Sequence, residues 1–68
     1  MKKLITQGCL NINGKNQYSV IVSDIVDGWY LNARSWNFKT LAKAKIKFDE
    51  VTSQYTDSVV HTSPAWAA

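Results

Sequence analysis

The stretch YSVIVSDIVDGWYLNARSWNFKTLAKAKIKFDEVTSQY, residues 18–55, decides the fold. Tyr18 to Val26 is the strongest strand signal in the chain, and its unbroken Val20-Ile21-Val22 centre predicts a middle strand covered on part of both faces. Asp27-Gly28 predicts a two-residue hairpin turn, because both residues tolerate positive φ. That register sets Val26 against Trp29, Asp24 against Leu31, Val22 against Ala33 and Val20 against Ser35 on one face. The other face then carries Ile21, Ile25, Tyr30, Arg34 and Trp36. The first set, with Val20, Val22, Trp29 and Leu31, is the expected floor of the core. Asp24 is its weak point, fitting only near the sheet margin or beside a wider loop.

Outward from the hairpin, Thr40 is the expected N-cap of a helix running from Leu41 to about Tyr55. Leu41, Ala44, Phe48, Val51 and Tyr55 recur at spacings of three and four, one narrow apolar stripe that closes on the hairpin floor. Upstream, Leu4 to Ile12 reads as a strand ending at an Asn13-Gly14 turn. For Leu10 and Ile12 to share a face with Tyr18, Val20 and Val22, this first connection needs an odd-length loop or a bulge. Downstream, Ser58 to Thr62 allows a short edge strand, and Ser63-Pro64 ends it. Residues 1–62 are therefore read as a single domain and 63–68 as a C-terminal tail, unless Trp66 docks on the body.

The 68 residues hold eight Lys/Arg against five Asp/Glu, a net charge of +3. This is milder than the dense basic footprint of many nucleic-acid binders. Cys9 is the only cysteine, so no intrachain disulfide or zinc-finger ligand set exists. Met1-Lys2-Lys3 resembles the start of a secretory signal, but Thr6, Gln7, Gly8 and Asn11 interrupt the apolar run such a signal requires. No segment is long enough to span a membrane, and the chain reads as soluble and cytoplasmic. His61 is the sole histidine and has no partner at a catalytic or ligand spacing. Asn13-Gly14-Lys15 lacks the glycine-rich run of a phosphate loop. The expectation is a protein without enzymatic activity, metal or cofactor.

Two surfaces carry the binding residues. Tyr30, Arg34 and Trp36 on the second hairpin face are of the types that anchor interfaces, and the same face could stack unpaired bases. Its other reading is ordinary core covered by the first strand, the tail or a second copy. On the helix, Lys39, Lys43, Lys45 and Lys47 precede Asp49 and Glu50, the reverse of what the helix dipole favours. Local stability did not select that order; it reads as a basic stripe for phosphates or an acidic protein, or as a solvated face. Ile46 projects opposite the apolar stripe, close to Lys39, Lys43 and Glu50, and reads either as an exposed apolar contact or as one of the single apolar residues ordinary on a surface.

The order strand, hairpin, strand, then Phe38-Lys39-Thr40-Leu41-Ala42-Lys43-Ala44 entering a helix, resembles in outline the short bacteriophage inhibitors of host RNA polymerase and some phage anti-CRISPR proteins. It is also similar to the arm-type DNA-binding domains of phage integrases. The likeness covers residues 18–55 and rests on element order and the Phe-x-Thr-x-x-x-Ala helix entry, so no family's functional residues carry over. The basic helix departs from the acidic character of inhibitors that mimic nucleic acid. The resulting expectation is an α+β fold, a three-stranded antiparallel sheet with one amphipathic helix on one face and a short fourth strand near the C-terminus. Its expected role is a small accessory or inhibitory protein, encoded by a phage or mobile element, that occludes a surface of a larger host protein or nucleoprotein assembly. Tyr30, Arg34, Trp36, Lys39, Lys43, Ile46 and Lys47 would make the contact. The alternatives are a nucleic-acid-binding module using the same sheet face and the helix lysines, and a self-associating homodimer.

Overall fold

The computed structural model describes residues 2–67; Met1, in the signal-like start, and Ala68, the end of the expected tail, lie outside the described residues. Strands β1 (Lys3–Ile12), β2 (Lys15–Val26) and β3 (Trp29–Phe38) form two successive hairpins, and α1 (Leu41–Gln54) leads to β4 (Ser58–Thr62) and a short 3-10 turn (Pro64–Ala67). The sheet order is β3-β2-β1-β4. The fold is thus α+β with one helix, and the sheet is mixed, because β4 pairs with β1 in parallel. That direction follows from the topology. Two antiparallel steps make β3 run the same way as β1, so a strand reached from β3 through a crossover helix arrives parallel to both.

Both hairpins turn on two residues with positive φ, Asn13 (53°) with Gly14 (77°) and Asp27 (51°) with Gly28 (81°). This is the signature of a type I′ turn, whose twist matches the strands it joins. The first ladder is regular from Ile12↔Lys15 to Lys3↔Asp24. The odd loop or bulge expected at Asn13-Gly14 is therefore absent, and Leu10 and Ile12 pair with Gln17 and Lys15 on the face opposite Tyr18. Ile5, paired with Val22, supplies the buried apolar residue of β1 instead.

The irregularity lies in the second hairpin. Val26↔Trp29 and Asp24↔Leu31 pair as expected, but Val22 then meets Arg34 and Val20 meets Trp36 in place of Ala33 and Ser35. β3 spends one extra residue there, and Asn32 adopts φ 55°, a left-handed conformation that Asn tolerates better than most side chains. The bulge carries Arg34, Trp36 and Phe38 to the helix side, which corrects the grouping of Arg34 and Trp36 with Tyr30.

The helix begins at Thr40, whose hydroxyl accepts from Lys43 N at 3.4 Å. Its stripe packs as the spacing predicts. Ala44 and Val51 are buried, while Leu41, Phe48 and Tyr55 pack partly buried against Ile5, Val20 and Val22 with Tyr18, Trp36 and Phe38. The polar last turn is accounted for locally, since Thr52 and Ser53 both donate to the Asp49 carbonyl. Trp29 and Leu31, expected in the floor, are 73 % and 46 % exposed. The packed floor stops where Asp24 pairs with Lys3, and the hairpin tip carries them past it.

The expected tail is structured. Trp66 is 4 % exposed and stands edge-on to Tyr18 and Phe48, with ring centroids 6.4 and 6.1 Å away. Its Nε1 donates to the Gly8 carbonyl at 2.9 Å, which pairs the one polar atom of the ring. Lys3 N to Asp57 O and Ser63 N to Gln7 O bracket the β1–β4 pairing and aim the 3-10 turn back over β1. Pro64 terminates the strand as anticipated, and the turn it starts is what delivers Trp66 to the core.

Candidate protein-binding surface

The bulge at Asn32 builds a hollow on the helix side of the sheet, lined by Lys3, Asp24, Asn32, Arg34, Trp36 and Tyr55 with Val22 and Ala33. Lys3 Nζ forms an ion pair with Asp24 and lies 5.0 Å from the Tyr55 ring centroid. Asn32 Nδ2 donates to the other Asp24 oxygen at 3.1 Å. The hydrogen bond from Lys3, then that from Asn32, and the charges of Lys3 and Arg34 hold the Asp24 carboxyl below its ordinary value of 3.8. Asp24 is thus an anion engaged on both oxygens. Arg34 stands at the same hollow and, among the described residues, enters no ion pair. Trp29 and Leu31 flank it on the same face, since they oppose Val26 and Asp24.

The seven residues expected to form one site occupy separate places. Arg34 and Trp36 meet at the hollow, and Trp36 is half-buried there with Lys47 Nζ 4.4 Å from its ring centroid. Tyr30 is exposed on the opposite face, paired with Ile25. Lys43, Ile46 and Lys47 line a shallow depression on the helix with Phe38 and Glu50, where Lys47 also bonds Glu50 at 3.2 Å. Lys39 lies with Lys15 and Tyr18 beside the first turn, away from Arg34. The residues that sequence reasoning missed are Trp29 and Leu31, taken as core, and Lys3, Asn32 and Tyr55. Asp24 was the available signal: a carboxylate on the strip opposite Leu31 marks where the buried floor ends.

Among the described residues no group of three or more His, Cys, Asp or Glu side chains comes together to hold a metal. No helix among the described residues is long and apolar enough to cross a membrane. Comparison with known proteins finds no family model, no curated protein and no solved structure that matches the chain.

Proposed function

We propose that this chain is a non-enzymatic binding protein that covers a surface of a larger protein through Trp29, Leu31 and Arg34. The observation that carries this reading is the exposure of Trp29 and Leu31 beside an Arg34 without an ion-pair partner among the described residues. Trp and Arg are the side chains most often found as interface anchors, because a large ring and a planar fork of donors each lose little freedom per contact made. The matching partner surface offers an apolar cleft for Trp29 and a carboxylate for Arg34, and its occlusion is the inhibitory or accessory act. Trp36 is a poor anchor for this role, since its ring is already engaged by the body and by Lys47.

The test is capture of a partner from bacterial lysate, its identification, and measurement of the purified pair. Trp29→Ala and Arg34→Ala are each expected to weaken binding by about 30-fold, the effect of a ~2 kcal/mol hot spot. A partner held undiminished by both variants would sink the proposed surface. The nucleic-acid reading retains one supporting feature, the exposed Lys39, Lys43 and Lys45. It predicts gel shifts at low salt that vanish steeply as salt rises.

A further inference from the structure

The helix, the 3-10 turn and the buried core all lie on one side of the sheet. No helix or turn among the described residues packs on the other side, where the small Ser19 and Ser23 are buried between taller neighbours. It carries Leu4, Thr6, Gly8 and Leu10 from β1, Ser19, Ile21, Ser23 and Ile25 from β2, Tyr30, Ser35 and Asn37 from β3, and Val59 and His61 from β4. On a chain of net charge +3, no Asp, Glu, Lys or Arg stands on this face between the Leu4–Ser23 and Leu10–Gln17 pairs. From these observations we propose that the open sheet face is the contact with a second copy of this chain, closing a two-layer sandwich. This interface is on the opposite side of the sheet from Trp29, Leu31 and Arg34 and does not depend on the partner proposed for them.

Charge selects the occupant. A nucleic acid, an anionic membrane or a charged protein patch would find no countercharge between these pairs, whereas two copies meeting through that stretch, with Lys15 just beyond it, bring together no like charges despite their equal sign. A two-fold contact also requires one surface that complements itself, and the relief of the face provides it. Gly8 and Ser19 form a low rung, so close that a Cβ on Gly8 would stand 2.7 Å from Ser19 Oγ. On either side stand Leu10, 57 % exposed, and the Thr6–Ile21 pair. A ridge beside a hollow on each copy lets Leu10 of one seat on Gly8–Ser19 of the other.

With strands about 4.8 Å apart and about 3.3 Å of rise per residue, the charge-free stretch from Leu4 to Leu10 on three strands, with the shorter β4 beside it, spans roughly 400 Å² in plane. Side-chain relief raises this toward the ~800 Å² per partner of a standard interface. A 68-residue chain with six buried hydrophobic residues among those described is also of the size that gains from a second apolar layer.

Sedimentation equilibrium from about 1 µM to about 1 mM, on the full chain, tests the proposal. The expected result is a monomer–dimer equilibrium whose Kd changes less than about threefold between low and high salt, because no ion pair crosses the interface. Leu10→Glu places a charge at an already exposed position, and the expected loss of dimer is at least about 100-fold in Kd with an unchanged far-ultraviolet circular dichroism spectrum. Ile46→Glu and Trp29→Ala, on other surfaces, are expected to leave it intact. A strict monomer at the top concentration overturns the proposal. So does a dimer that survives Leu10→Glu, or one dissolved by Ile46→Glu or Trp29→Ala. Failure here leaves binding through Trp29 and Arg34 untouched, and loss of that binding leaves the dimer untouched.

Discussion

The two hairpins begin alike and end differently. Each turns on an acidic or amide residue followed by glycine, both with positive φ, yet the β1–β2 ladder runs without interruption while β2–β3 carries one extra residue at Asn32. In the regular hairpin every residue is assigned to a face by counting from the turn. In the bulged one the count resets, and Arg34, Trp36 and Phe38 reach the helix side only because of the reset. A bulge is therefore slack: the second hairpin holds one residue in reserve, and the first holds none.

The sharpest way to break this comparison is to remove one residue from each ladder. Deleting Thr6 leaves β1 no spare residue, so Ile5 and Lys3 turn to the open face or the pairing is lost. The expected cost of about 3–5 kcal/mol, as for truncating a buried aliphatic side chain, is comparable to the whole stability of a domain this small. Urea titration should show no cooperative transition. Deleting Asn32 removes the extra residue and restores simple alternation with Val22 still opposite Arg34, so its expected cost is only about 1 kcal/mol. Similar losses from both deletions would refute the idea of slack.

A smaller effect probes the tightness of the regular ladder. Gly8→Ala introduces the 2.7 Å approach to Ser19 Oγ, at an expected cost of about 1–3 kcal/mol. Adding Ser19→Ala should restore most of it, and a double-mutant cycle in urea measures the recovery.

The smallest expected effect is on pH dependence and belongs to the bulged hairpin. Asp24 has a folded-state pKa below its ordinary 3.8, so the folded chain binds that proton less readily than the unfolded one. Its contribution is full above about pH 4 and is lost as pH falls through the lowered folded value. Thermal melts of Asp24→Asn should accordingly be less sensitive to acid than those of the parent over that range. Equal acid sensitivity would mean that the bonds from Lys3 and Asn32 do not favour the ionised carboxylate.

The comparison also marks what could be read from the chain. The helix was legible, since Leu41, Ala44, Phe48, Val51 and Tyr55 follow a period set by backbone geometry alone. So were the places of both turns, because Asn-Gly and Asp-Gly are among the few pairs that accept two positive φ values, although the odd loop or bulge expected at Asn13-Gly14 is absent. The bulge was not. Asn32 in a strand pattern looks like any polar residue facing solvent, and only the packed protein decides that Trp36 and Phe38 are worth more on the helix side than Ala33 and Ser35. Trp66 was illegible for a related reason: its place depends on a gap among Gly8, Tyr18 and Phe48, residues distant in sequence that no local pattern brings together. On the candidate surface the bulge put Arg34 on the other side from the one expected, and the end of the packed floor at the Lys3–Asp24 pair left Trp29 exposed.

The seat of Trp66 on Gly8 has a kinetic consequence. The two hairpins and the helix join neighbours in sequence, whereas β4 and Trp66 must reach back across the chain to β1 before they gain anything. Loop closure is the slow part of such a search, so the hairpins and helix should assemble first and the last rungs of β1–β4 late. Trp66 then becomes a clock for that final step. Its passage from water to the company of Tyr18 and Phe48 would change fluorescence in a late phase of stopped-flow refolding, after the earlier change of Trp36 on packing with the helix, while Trp29, exposed before and after, contributes a nearly constant background.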